Sequence, residues 1–337
     1  MEQSTLTFFC ELDTVALQAL FADGVVIKRL KALGAALSIG IRDLSDERAA
    51  VVRRLNEAGI PLTAWLLLPE DEGYWFNVDN APQAVNRYLD FCTWCEAHNL
   101  VWEGVGLDIE PDIRELGRAL AGEASVLLKV LRRCLNKRHF AQARAAYVAL
   151  VEQIRVDGYR VDSYHFPVIV DERGIGSTLL QQLTGIVDIP ADREVLMLYS
   201  SFLRPLGAGA LWSYAPEAQS VGVGSTGGGV TVGDVDQIPL LSWEELSRDL
   251  RLAQLWSDDI HVFSLEGAVK KGFLARLEDF DWSQTLPLPL DEARQVARMR
   301  ASLRALLWLS IHPGVVVVGL LALLWLITRL WRRNGKN

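Results

Sequence analysis

Trp102-Glu103-Gly104-Val105-Gly106-Leu107-Asp108-Ile109-Glu110-Pro111 reads as an apolar strand that stops on two carboxylates spaced two residues apart. Side chains at that spacing leave a strand on the same face, so Asp108 and Glu110 address one point in space. Pro111 cannot donate to a sheet ladder, so the strand ends there, with both acids at its carboxyl end. In a parallel α/β barrel, that is the end where chemistry sits.

Working outward from this strand, apolar runs alternate with helical segments. Leu6–Glu11, Ala35–Ile41, Leu62–Leu68 and Val105–Ile109 read as strands one to four. Helical patterns follow them at 15–33, 46–58, 81–99 and 113–156, the last long enough for two helices. Tyr159–Ile169, Val195–Tyr199, Ser220–Gly224 and Ile260–Leu265 supply the other four, with helices at 178–183 and 243–256. Alternation of this kind predicts a parallel sheet, and eight units predict a (β/α)8 TIM barrel over residues 1–285. The glycine-rich run 221–229 lacks a phosphate-loop lysine and reads as a loop over the barrel mouth.

The chain has 337 residues and a net charge of −8, unevenly placed. Residues 291–337 carry eight basic side chains against two acidic ones, which leaves −14 on the remainder. An acidic body excludes nucleic acid as the expected partner, because phosphate binding needs clustered cations. From Ala305 to Thr328 no side chain is charged, whereas about 20 apolar residues suffice to span a bilayer. The expected order after the barrel is therefore a basic juxtamembrane helix or linker (286–304), one transmembrane helix (305–330) and a basic tail (331–337). Pro313-Gly314 allows a variant in which the span begins near Ile311. Met1–Leu20 has neither a basic start nor a long apolar stretch, so no signal peptide is read, and a tail-inserted, cytoplasmic body is expected. Cys92, Cys95 and His98 share a helical pattern and read as structural.

Polar residues at the strand ends assemble a candidate site. Glu11 and Asp13 end strand one, Trp65 lies on strand three, and Tyr74 and Trp75 follow it. Asp108 and Glu110 end strand four, Tyr164 and His165 lie on strand five, Tyr199 ends strand six and Glu266 follows strand eight. Carboxylates rimmed by tryptophan and tyrosine suit a sugar, whose C–H faces stack on rings while carboxylates bind hydroxyls. Glycoside hydrolysis asks for one protonated carboxyl and a second carboxylate. Glu110, with Asp108 beside it, is the expected acid; Glu266 and Glu11 are both open as the second. Asp13 and Asp43 also suit helix capping.

Glu103-Gly-Val-Gly-Leu-Asp108-Ile-Glu110 resembles the D-G-x-D-x-D-x-E signature of family 18 glycoside hydrolases, the chitinase-like barrels. Met197-Leu-Tyr199-Ser200 is similar to that family's M-x-Y-D on strand six. The resemblance implies Glu110 as general acid, Asp108 orienting the substrate's acetamido group for attack on the anomeric carbon, and Tyr199 holding the acetamido carbonyl. This chain departs from the pattern at Glu103, Gly106 and Ser200, where the family keeps aspartates. Two other classes fit the residues. One is a metal-dependent hydrolase in which Glu11, Asp13, Asp108 and Glu110 bind magnesium or calcium; the other is a membrane-tethered barrel that binds a glycan or a protein without cleaving it. No cofactor motif or metal-ligand spacing appears, so neither a cofactor nor a metal is expected in the leading reading.

Overall fold

The computed structural model describes residues 4–230, 239–318, 321, 324 and 325. Strand β1 (Thr5–Cys10) leads to helices α1 (Thr14–Phe21) and α2 (Val25–Leu33), and β2 (Ala36–Ile41) to α3 (Asp46–Glu57). Next, β3 (Leu62–Leu66) leads to α4 (Ala81–His98), and β4 (Gly104–Asp108) to α5 (Ile113–Leu120), α6 (Ala124–Leu135) and α7 (Lys137–Val156). In the second half, β5 (Arg160–His165) leads to α8 (Val168–Ile175) and α9 (Leu179–Thr184), and β6 (Arg193–Met197) to α10 (Gly207–Tyr214). Finally, β7 (Ser220–Gly224) leads to α11 (Trp243–Gln254), and β8 (Asp259–Phe263) to α12 (Leu265–Lys270), α13 (Phe273–Leu277) and α14 (Leu290–Ile311). All neighbouring strands are parallel and β8 closes on β1, so the sheet is the expected (β/α)8 barrel.

Local chemistry explains where the elements differ from the sequence reading. The first helical segment breaks at Gly24, whose φ of 73° is left-handed. The long fourth connection holds three helices rather than two. Gly122, also left-handed, separates α5 from α6, and the Asn136 side chain accepts from the His139 N–H to start α7. Strand β5 stops at His165, two residues before Pro167, which has no N–H for the ladder. The glycines of β7 make room: a Cβ on Gly224 would lie 3.2 Å from Tyr199 Cδ1, and one on Gly222 3.4 Å from Tyr199 Cε1.

Inward-facing side chains fill the barrel in layers. Its floor is ionic: buried Asp162 takes Arg160 at 2.9 Å and also pairs with Arg193, which reaches Asp259 at 3.2 Å. Above this lies a ring layer, with Phe9 edge-on to Tyr164 at 4.9 Å and to Trp65 at 5.5 Å, and Phe263 stacked on Tyr199 at 5.7 Å. The acids of the strand ends sit above the rings. Outward-facing Leu37, Ile39, Ile41 and Val105 meet the helices in the main core.

Helix α14 docks on the barrel wall. Asp171 of α8, fully buried, accepts from Arg300 Nε (3.0 Å), Arg304 Nε (2.7 Å) and the Tyr214 hydroxyl (2.6 Å), while Arg300 also pairs with Glu217. Gly209 lets the helices touch, since a Cβ there would lie 2.4 Å from Glu292 Cβ. The contacts run in step from Gly209 of α10 to Glu217 in the turn that follows it, just ahead of the floor end of β7, so α14 descends toward the floor. This corrects the start of the expected span: residues 305–311 are the last turns of the docked helix, with Leu307 only 1% exposed. The helix stops at His312, before Pro313. Among the described residues no helix is long and apolar enough to cross a membrane, and much of the run beyond 318, with the whole 331–337 tail, lies outside them.

Replacing Arg300 by Met leaves Asp171 short of its main partner in a buried site. The expected cost is about 3 kcal/mol, the low end for a broken buried pair because Arg304 remains, read as a lowered urea midpoint.

Candidate active site

The pleat aims alternate residues into the barrel, so Glu11 continues the inward row of β1, Asp108 and Glu110 that of β4, and Tyr199 that of β6. They meet in a cavity of about 270 Å³ at the mouth, lined by Glu11, Asp108, Glu110 and a wall of rings that includes Trp65, Trp75, Tyr164, Tyr199 and Phe263. No basic side chain lines it among the described residues.

The Asp108–Glu110 pair is pinned from outside the barrel. Phe76 N–H donates to the Asp108 carbonyl at 3.0 Å and Glu110 N–H to the Phe76 carbonyl at 2.9 Å, extending β4 by one bridge. Inside, Trp65 Nε1–H donates to Asp108 Oδ2 at 3.1 Å, while Asp108 Oδ1 is buried with no hydrogen-bond partner among the described residues. Burial first, then the charges of Glu110 and Glu11, push the Asp108 carboxyl well above its usual range. Burial and the Glu11 charge raise Glu110 to about 8. Two like charges in one dry pocket cannot both be unprotonated at neutral pH, so the pair retains a proton.

The positions that depart from the family 18 pattern have structural counterparts. A Cβ on Gly106 would lie 2.3 Å from the Tyr164 hydroxyl, so the tyrosine ring occupies the room an aspartate would need. That hydroxyl is 2.8 Å from Ser38 Oγ, which fixes the ring in place. Ser200 turns out of the site and its hydroxyl donates to buried Asp249. Trp65, rather than a carboxyl at position 106, is therefore the donor that orients Asp108.

Glu11 has its own supports. Burial raises its carboxyl to about 7, against the opposing pull of Tyr74, whose hydroxyl donates to Oε1 at 2.5 Å. The Val230 N–H also bonds it. The glycine run comes down on this region: Gly227, Gly228 and Gly229 all have left-handed φ. A Cβ on Gly228 would lie 2.2 Å from Glu266 Oε1, and one on Gly229 3.1 Å from Glu11 Oε2. Only glycines let the chain pass so close. Glu266 sits behind the cavity, where Oε1 accepts from the Glu11 N–H at 3.4 Å, and it does not line the wall.

Of the residues singled out in the sequence, Glu11, Trp65, Trp75, Asp108, Glu110, Tyr164 and Tyr199 are brought together, with Tyr74 and Glu266 in the layer behind. His165 is not among them. It is next to Tyr164 on the strand and so points outward, into a separate small cavity with Pro111 and Ile169. Asp13 is also elsewhere, spent as the N-cap of α1 with its carboxylate on the Ala16 N–H at 2.8 Å. This removes it from the metal reading, and among the described residues no three His, Cys, Asp or Glu side chains are grouped to hold a metal ion. Phe9, Phe263, Leu116 and Val230 line the cavity without having been singled out. Counting strand parity would have found the two phenylalanines; nothing local marks Leu116 of α5 or Val230 of the glycine-rich loop.

No family model matches the chain, and no curated protein does. Solved structures do. The PgaB (BpsB) glycoside hydrolase domain from Bordetella bronchiseptica is 11% identical, with a TM-score of 0.51 over 84% of this chain and 100% of that one. A family 18 chitinase from Pseudoalteromonas aurantia is 9% identical (TM-score 0.44; 83% and 100% covered), and a broad-specificity endoglucanase from an uncultured bacterium 12% (0.46; 84% and 94%). The likeness is one of fold. This chain is a barrel of the build that the glycoside hydrolase resemblance implies, and what its site does is a question for its own residues.

Gly106→Ala tests the packing that replaces the family's aspartate. Its Cβ collides with Tyr164, and overpacking of this kind costs about 1–3 kcal/mol. A lowered thermal midpoint is the expected result, and with Tyr164→Ala, which itself destabilises by opening a cavity, the two losses together should be smaller than their sum.

Proposed function

We propose that the barrel hydrolyses glycosidic bonds, with Glu110 as general acid and then base, and Asp108 as the assisting carboxylate. One observation carries this reading: Glu110 is a buried carboxyl with raised proton affinity, paired with an Asp108 that Trp65 orients, in a ring-lined cavity at the barrel mouth. A general acid for a sugar leaving group must hold its proton near neutrality, and burial beside another acid supplies that. Rings supply faces for a sugar's C–H surfaces, and Asp108 Oδ1, without a hydrogen-bond partner among the described residues, is placed to accept from a substrate group. A cavity of about 270 Å³ suits one sugar ring.

The second part of the proposal is attachment. We place a membrane anchor after the break at His312, in the apolar run that begins at Val315, with residues 1–285 as the catalytic body. Val315, Val317, Val318, Leu321, Leu324 and Trp325 are all exposed apolar side chains, which favours a covering for them.

Purified protein assayed on a panel of chromogenic glycosides tests the first part. Glu110→Gln is expected to lower kcat about 10³-fold. Because the acid works protonated, kcat/KM should fall as pH rises through about 8 and should not fall there in the variant's residual activity. Glycan binding without turnover by the unsubstituted protein would support the non-catalytic barrel instead.

A further inference from the structure

We propose that Glu11 is the second catalytic carboxylate of this site, attacking the anomeric carbon directly, so that the enzyme cleaves glycosides bearing an ordinary 2-hydroxyl rather than requiring a 2-acetamido group. This rests on the glycoside hydrolase reading above.

Three observations lead to it. First, Asp108 and Tyr199 stay, but two neighbouring positions where the family 18 pattern keeps aspartates are altered. The room over Gly106 is filled by the Tyr164 ring, and Ser200 bonds Asp249 outside the cavity. Second, Glu11 stands on β1, three strands from β4, so it faces Asp108 and Glu110 across the same cavity. Glu266, the other acid at this edge, stays behind the wall and binds main-chain N–H groups, including those of Glu11 and Gly229. Third, the two sides of the cavity are equipped for opposite protonation states. Glu11 accepts from the Tyr74 hydroxyl at 2.5 Å and from the Val230 N–H, donors that favour its ionised form. Among the described residues Glu110 meets neither a hydroxyl nor a main-chain N–H; its side-chain partner is the acid Asp108, with which it shares the proton of the pair.

The Tyr74 donor is deliberately held. Its φ of 63° is left-handed, which a tyrosine adopts only when its surroundings compel it. They do so here: Leu68 N–H bonds the Tyr74 carbonyl at 2.8 Å, and Asn80 Nδ2 ties the flanking Glu72 and Trp75 carbonyls at 3.0 and 2.9 Å. The loop aims the hydroxyl at one oxygen of Glu11, and Tyr74 is a positioning residue.

A Glu11 oxygen forms a bond to the anomeric carbon as the bond to the leaving oxygen breaks, and Glu110 gives that oxygen its proton. Water then attacks the same carbon, returns a proton to Glu110 and releases the Glu11 carboxylate. One water is consumed and both acids are regenerated.

The full chain, incubated with 2,4-dinitrophenyl 2-deoxy-2-fluoro-glycosides of the gluco, galacto and manno series and then digested for mass spectrometry, should carry the sugar on Glu11. Glu11→Ala should lose activity about 10³-fold on 2-hydroxyl aryl glycosides and regain it with azide, releasing a glycosyl azide; that rescue also shows the variant is folded. Tyr74→Phe should move the acid limb of kcat/KM to higher pH, since removing the donor raises the proton affinity of Glu11. That shift is read among Arg42, Glu266, Asp108 and Glu110, the titratable and charged groups around it. Turnover confined to 2-acetamido substrates, or turnover with the label absent from Glu11, overturns the proposal and leaves the hydrolase reading standing. Absence of turnover on every glycoside overturns both.

Discussion

Three carboxyl groups share a cavity walled by aromatic rings and, among the described residues, lined by no cation, and the cost of dehydrating them governs the rest of the site. Each of Glu11, Asp108 and Glu110 is less than a tenth exposed. Ionised groups so placed are destabilising unless donors meet them or protons stay on them, and this barrel uses both answers. Trp65, Tyr74 and one loop N–H supply the donors; mutual repulsion keeps protons in the Asp108–Glu110 pair. The ionic floor and the ring layer above it give those groups a fixed frame, because a donor placed an ångström away would satisfy nothing. Structure and proton distribution are thus two descriptions of one arrangement.

Much of this was legible in the chain. A strand that ends on Asp-Ile-Glu-Pro announces both its length and the face its acids take, and the alternation of apolar runs with helical segments counts to eight. Strand β7 shows how a weak local signal becomes sense in three dimensions. Its glycines are poor strand formers, yet they are what the Tyr199 ring requires of its neighbour. His165 failed for a reason of parity: residues one apart on a strand face opposite ways, so it cannot join Tyr164 in the cavity. The replacement at Gly106 was visible as a missing acid, but its cause was not. It lies in the next strand, where Tyr164 stands opposite Asp108 in the register and leans over the glycine. The left-handed Tyr74 leaves no local signature, since a target 63 residues away in the chain makes it useful.

The family resemblance and the geometry therefore carry different information. Two motifs identify the barrel end that matters and the pair of acids on it. Packing around those motifs decides whether the neighbouring groups act as they do elsewhere, and here Tyr164 and Ser200 are committed to other partners. Similar folds at around a tenth sequence identity set no constraint on that commitment.

Helix α14 carries one last consequence. Its 22 residues make a rod about 33 Å long, clamped to the wall by Arg300 and Arg304 and descending toward the floor. On the anchoring proposed above, a tether leaving its lower end starts from the floor side of the barrel, opposite the opening, with the break at His312 standing between the clamped body and the anchor. A polymer in the surrounding solution would then meet that opening before a headgroup in the anchoring surface could.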